Sequence, residues 1–258
     1  MEVYYSWLRW STSNRTKERS MRVVGIISSP NRNGNTATLV RNVLRGAEEQ
    51  GSETEEIFLA DHEIGFCQGC FACMARGSCI LSDDFDLLRS KLAAADGIVF
   101  GSPNYAFSPN AMMKRFLERL GMLEYLTSSV VGGKHVVAVS TAGGQGARKV
   151  TAYLTGVAKN GVFQRAYVTG QVTTAAGRIP AAENKAVVDR ALKMGMKLAQ
   201  DIASGHTYPL QNMITRLINR LVVRPRLTSL IRAQANGRMK AVYEHLLSRK
   251  LIPTARQG

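Results

Sequence analysis

Cysteine, proline, histidine and tryptophan are all scarce: 4, 7, 4 and 2 residues in a chain of 258. The four cysteines all fall between Cys67 and Cys79. Clustering of that kind excludes a disulfide-stitched secreted scaffold and points to metal or redox chemistry. Few prolines and an ordinary 45% hydrophobic content exclude collagen-like, low-complexity and wholly disordered chains. No apolar run is long enough for a membrane-spanning helix. The opening MEVYYSWLRWSTSNRTKERS lacks the continuous apolar stretch of a signal peptide, so the expected compartment is cytoplasmic. Neither G-x-G-x-x-G nor G-K-S/T is present, which excludes the dinucleotide fingerprint and the Walker loop. Acidic residues are outnumbered 19 to 34 by Lys and Arg, for a net charge of +15.

That charge is unevenly spread. Residues 21–205 carry twenty basic and sixteen acidic groups, whereas residues 206–258 carry ten basic groups and one acidic, Glu244. The middle reads as a nearly balanced globular body and the end as a basic tail suited to an anionic partner. The arginines have no interleaved aromatics and no nucleic-acid motif beside them, which argues against nucleic acid as the partner.

At about 150 residues per domain the length gives one domain with a substantial addition, or two small ones. Residues 1–20 read as an N-terminal extension, 21–205 as the principal domain with a Cys-rich loop at 61–82, and 206–258 as a basic helical C-terminal extension. Within the domain, short apolar strands are expected at 22–27, 54–59, 97–101, 134–140 and 162–168. They alternate with amphipathic helices at 36–50, 83–94, 109–123, 147–159 and 183–204. Buried strands between helices imply a parallel sheet covered on both faces. Right-handed crossovers then give a doubly wound three-layer α/β sandwich, with five strands in the order 2-1-3-4-5. Two further helices, 210–222 and 227–247, are expected after Gly205, with a break near Pro225.

Strand one runs into SSPNRNGNTATLV, residues 28–40. A helix opening directly after a strand offers free N–H groups and a positive dipole end, so an anion fits there. Ser29, Asn33, Asn35 and Thr36 can add donors and Arg32 can add charge, although the same residues also serve as ordinary caps. The S-P-x-x-x-G-N-T of this loop resembles that of the flavodoxin-like NAD(P)H-dependent FMN reductases, in which it wraps the FMN phosphate. The resemblance strengthens at GSPNYAFSPNAMMKRFLERL, residues 101–120, similar to a family stretch running from S-P-x-Y to M-K-x-F-x-D-R. Glu118 stands where the family usually has Asp. The resemblance implies that Pro103, Asn104, Tyr105, Ala106 and Phe107 border the flavin ring. It also implies that Thr141, Ala142, Gly143 and Gly144 contact it from the glycine-rich turn TAGGQG.

The cysteines are spaced C-x2-C-x2-C-x5-C, in CQGCFACMARGSC. Three thiolates within seven residues, joined by a fourth, can ligate a 4Fe-4S cluster in the manner of compact ferredoxin motifs. A closed zinc site, a labile redox pair and free thiols are the competing readings. The complete set Cys67, Cys70, Cys73 and Cys79 resembles the iron–sulfur flavoprotein branch of the same family. That branch implies a flavodoxin-like fold, FMN and a 4Fe-4S cluster as cofactors, and a homodimer or homotetramer. Such a protein would take electrons from a ferredoxin-type donor and pass them through FMN to a quinone or an oxygen species. No side chain is then required as a catalytic acid or base, since the cofactors carry the chemistry. The alternatives are a cluster-free reductase fed by NAD(P)H and a non-catalytic thiol sensor or binding module.

Overall fold

The structure, a computed structural model, describes residues 20–254 apart from positions 128 and 178. Nearly all of the expected N-terminal extension, residues 1–19, lies outside the described residues. The principal domain runs β1 (Arg22–Ile27), α1 (Asn35–Glu48), β2 (Glu53–Phe58), α2 (Ala72–Arg76), α3 (Phe85–Ala94) and β3 (Gly97–Tyr105). It continues through β4 (Ser108–Pro109), α4 (Ala111–Thr127), β5 (His135–Ala142), α5 (Ala147–Lys159), β6 (Tyr167–Ala175) and α6 (Lys185–Ser204).

The long strands are parallel and lie in the order β2-β1-β3-β5-β6, the doubly wound order expected for five strands. Period-two alternation fills both faces. Val24, Ile26, Ile98, Phe100, Val136 and Ala138 join one core with side chains of α3, α4 and α5. Their neighbours Val23, Ile27, Val99, Val137 and Val139 join a second core with α1 and α6. Helices α1 and α6 approach very closely because Gly46 and Gly195 lie between them. A Cβ added at Gly195 would sit 1.8 Å from the Val43 carbonyl oxygen, and one at Gly46 2.0 Å from that of Leu192.

Three local expectations are corrected. The fifth parallel strand spans 167–175 rather than 162–168. Val162 and Phe163 are buried outside the sheet, against the C-terminal helices. A sixth strand, β4, pairs antiparallel with the end of β3 through a two-residue turn. Ala106 and Phe107 in that turn have φ of 49° and 62°. Both are left-handed, which matches the twist of a tight hairpin but strains residues bearing a Cβ.

The third correction concerns the tail. Helix α7 (Met213–Ile218), a π-helical turn (Asn219–Val223) and α8 (Arg224–Ala233) follow without interruption, straight through Pro225. The looser π turn absorbs the ring and the missing N–H that would break a regular helix. The chain breaks instead at residues 234–239, before α9 (Lys240–Ser248). Ile231, Val242, Leu246 and Ile252 form a third core with Met74 of α2, Leu126 of α4, Val162 and Phe163. The tail is therefore folded onto the cysteine-bearing loop. Among the described residues no helix is long and apolar enough to cross a membrane.

Candidate functional site

Two cavities bring together part of the residue set singled out by sequence. The first, of about 380 Å³, lies at the carboxyl ends of the strands and is lined by Ser29, Asn33, Asn35, Thr36, Pro103 and Thr141. Helix α1 opens on this cavity with Gly34 at its N-cap and no side chain bonded to its first amides. Those N–H groups are left for an anion. The Thr36 and Thr141 hydroxyls, both buried, bond at 2.7 Å and tie α1 to β5. Ser29 closes the loop locally: its hydroxyl accepts from the Asn31 N–H and donates to the Asn31 carbonyl, each at 3.2 Å. Asn110, buried at the start of α4, donates to the Ser28 carbonyl at 2.7 Å and accepts from the Met113 N–H at 3.2 Å. It thereby joins the first and third loops.

Some expected residues stand elsewhere. Arg32 is not among the cavity residues; it pairs with Asp61 and lies over the Phe58 ring, 4.8 Å from its centroid. The Asn35 carboxamide oxygen accepts from the Ala181 N–H at 2.7 Å, so part of that side chain is structural. Asn104 donates to the Gln145 carbonyl at 2.9 Å, and its own buried oxygen has no partner. Tyr105 and Phe107 are 54% and 58% exposed at the hairpin tip, and Lys149 sits 4.8 Å from the Phe107 ring centroid. Ala142 and Gly143 accept backbone bonds from Ala176 and Gly177, at 2.8 and 3.1 Å. Gly144 is exposed beside them. Sequence reading missed the contribution of Asn31, Gly34, Gly177, Ile179 and Pro180 to the lining. The glycine and proline at the carboxyl end of the last parallel strand were the available signal, since ligands in such sheets collect at strand ends.

The second cavity is lined by all four cysteines, with Leu81, Phe85 and Arg119 among its other walls. Asp83 and Asp84 close the neck of the loop. Asp83 accepts from the Gly65 and Phe85 N–H groups at 2.7 and 3.1 Å, and Asp84 accepts from the Glu63 N–H at 2.9 Å. Arg119 reaches in from α4 with its side chain 1% exposed, pairs with Asp83 and covers the Phe85 ring at 4.4 Å. Its Nε and Nη2 are buried without a hydrogen-bond partner. Burial opposes the Arg119 charge, but the Asp83 carboxylate and the Cys79 sulfur outweigh it and hold the guanidinium firmly protonated. Burial, and then the sulfurs of Cys79, Cys70 and Cys67, push the Cys73 thiol up. Four thiolates therefore need positive charge among them. Arg119 was missed because its partner Asp83 stands 36 positions away in the chain.

Among the described residues, no three His, Cys, Asp or Glu side chains converge as ligands of a single metal ion. A cubane cluster makes a different demand, because each thiolate binds its own iron and the sulfurs stand farther apart. An all-thiolate donor set around one cavity, with the buried Arg119 guanidinium among its walls, has the chemistry such an anionic cluster requires.

Comparison with known proteins agrees with this geometry. The profile of the NADPH-dependent FMN reductase family matches residues 21–178. An iron–sulfur flavoprotein of Methanocaldococcus jannaschii is 42% identical over 127 residues, 48% of this chain and 66% of that protein. One of Archaeoglobus fulgidus is 30% identical over 186 residues, 71% of this chain and 81% of that protein. Of solved structures, a flavone reductase superposes with a TM-score of 0.59 at 22% identity, over 72% of this chain and 65% of that one, a likeness of fold. The uncapped opening of α1 and the ring of four cysteines thus stand in a flavin-dependent oxidoreductase, and the chain belongs to the NADPH-dependent FMN reductase family, in its iron–sulfur flavoprotein branch.

Proposed function

We propose that this chain holds FMN across the strand-end cavity and a 4Fe-4S cluster on Cys67, Cys70, Cys73 and Cys79, and passes electrons between the two. The observation that carries the reading is Arg119, a buried cation with two unpartnered nitrogens in a cavity walled by four thiols. Bound together, the two groups would join one-electron to two-electron chemistry.

The chain's own part is to bind, position and shield. The open amides of α1, with Ser29, Asn33, Asn35 and Thr36, receive the phosphate end, and the Thr36–Thr141 bond fixes their spacing. Pro103 and Thr141 line the way toward the ring end. There Asn104, Tyr105, Ala106 and Phe107 on one loop, and Ala142, Gly143 and Gly144 on the next, flank a flat ligand. At the other cavity Asp83 holds the Arg119 guanidinium in the wall beside the sulfurs, and the third core packs Met74 and Cys73 of α2 against the tail. The exposed rings of Phe66, Phe71, Tyr105 and Phe107 leave surface for a second copy, supporting a homodimer or homotetramer. A ferredoxin-type carrier, commonly acidic, suits the basic tail as donor, and a quinone or an oxygen species suits an open flavin edge as acceptor. The family's description favours a second donor, reduced nicotinamide.

Anaerobic purification with iron, sulfide and flavin analysis tests the assignment. The expected result is about four irons and one FMN per chain, with Cys73→Ala losing the iron and keeping the flavin. Flavin without iron would leave the nicotinamide-fed reductase as the correct reading. A colourless protein that refuses added FMN would overturn both. Turnover with a reduced ferredoxin and with NADPH, compared on the same preparation, separates the donors.

A further inference from the structure

The helical rod from Met213 onward begins with no residue of α7 or the π turn buried. Its composition is nonetheless apolar. Leu210, Met213, Ile214, Leu217, Ile218, Leu221 and Val222 are 44–79% exposed. Within the helix they recur as the pairs 213/214, 217/218 and 221/222, which places them on one side. Arg216, Arg220 and Arg224 follow at four-residue steps and form a cationic row beside that stripe. Between residues 206 and 243 the chain has seven basic side chains and no acidic one. At the base of the rod lies a cavity of about 470 Å³ whose lining combines Arg220, Arg224 and Arg232 with apolar Phe163, Leu251 and Ile252. The Arg232 Nε is buried there without a hydrogen-bond partner. Arg224 is held in place by donating to the Val162 and Phe163 carbonyls, both at 2.8 Å.

A solvent-facing apolar stripe of this size needs a cover. Stripe-on-stripe packing with a second copy would bring the two arginine rows together, with no carboxylate in the segment to separate them. An anionic bilayer satisfies every element at once. Its acyl boundary takes the Leu and Ile side chains, its headgroup phosphates meet the arginine row, and a phosphate at the cavity mouth meets Arg220 and Arg232. We propose that residues 210–224, with the cavity at their base, are a docking surface for an anionic phospholipid bilayer, on which the helix lies in the interfacial plane.

Flotation of the flavin-loaded full chain with vesicles tests this, using bound flavin absorbance as the fold control in every variant. The protein is expected to float with phosphatidylglycerol-rich vesicles and not with pure phosphatidylcholine. Raising ionic strength from about 0.1 M to about 1 M shortens the reach of charges from ~10 to ~3 Å and should release most of it. Arg216→Glu with Arg220→Glu should lower partitioning at least ~10-fold, and Leu217→Glu with Leu221→Glu should abolish it. Failure of the wild type to float with anionic vesicles would overturn the proposal, as would equal binding to neutral ones. A fall in oligomer mass in the leucine variant, with wild-type flotation retained, would instead assign the stripe to contact between copies.

Discussion

Arg119 and Asp83 show how much of the cysteine end depends on one contact. The guanidinium is enclosed, and its carboxylate partner is also bonded to two backbone N–H groups across the neck of the loop. Replacing one member of such a pair leaves the other charge buried, at a cost on the order of 3 kcal/mol. Arg119→Met should lower the urea unfolding free energy by about that amount, and an unchanged midpoint would show the pair to be idle. Burial tends to raise the Asp83 pKa, but Arg119 and the Gly65 and Phe85 amides win and hold it below the usual carboxylate range. A depressed folded-state pKa gives stability that is full above the unfolded value, about 3.9, and is lost as pH falls through the folded value. Asp83→Asn should therefore lose at pH 7 an increment that the wild type loses only in acid, as paired denaturation curves at pH 7 and pH 3 would reveal. At the other cavity, Thr36→Ala removes a hydroxyl already held by Thr141, and FMN binding followed by fluorescence should weaken by ~1.5–3 kcal/mol. Wild-type affinity in that variant would move the phosphate elsewhere. The places of Ser29, Thr36 and the four cysteines in the walls of the two cavities follow from local spacing along the chain. The bonds of Arg119 and Asn110, and the diversion of Arg32 to Asp61, do not, because each depends on a partner distant in the chain.

At the level of elements, alternation of buried strands with amphipathic helices was enough to order the sheet. The departures came where tertiary packing overrode local pattern. Val162 and Phe163 look like strand residues but fill a core built largely by the tail, so the last strand starts at Tyr167. Pro225 marks a break in sequence but sits inside a rod, since the preceding π turn accommodates it. The α1–α6 contact was equally hidden, because a glycine in a helical pattern reads as a weakness rather than a contact. Gly195→Ala would set a methyl 1.8 Å from the Val43 carbonyl oxygen. The two helices must then separate, and overpacking of this kind costs about 1–3 kcal/mol. A urea midpoint at or above the wild-type value, as helix propensity alone would give, would argue that the helices are free to move apart.

Across the whole molecule, the tail completes a third core over the short helix that carries Cys73. Leu246 is fully enclosed there. Leu246→Ala should cost about 2–5 kcal/mol and should also speed alkylation of Cys73 by iodoacetamide in iron-free protein. Normal alkylation kinetics despite lowered stability would show that α9 does not guard the loop. Because the tail packs beside the cysteine-bearing loop and carries seven basic side chains and no acidic one between residues 206 and 243, positive charge is concentrated on that one segment of the fold. A negatively charged body within about a Debye length, ~10 Å in dilute salt, is drawn toward it before any surfaces meet. Approach is thereby biased toward the tail rather than spread evenly over the surface.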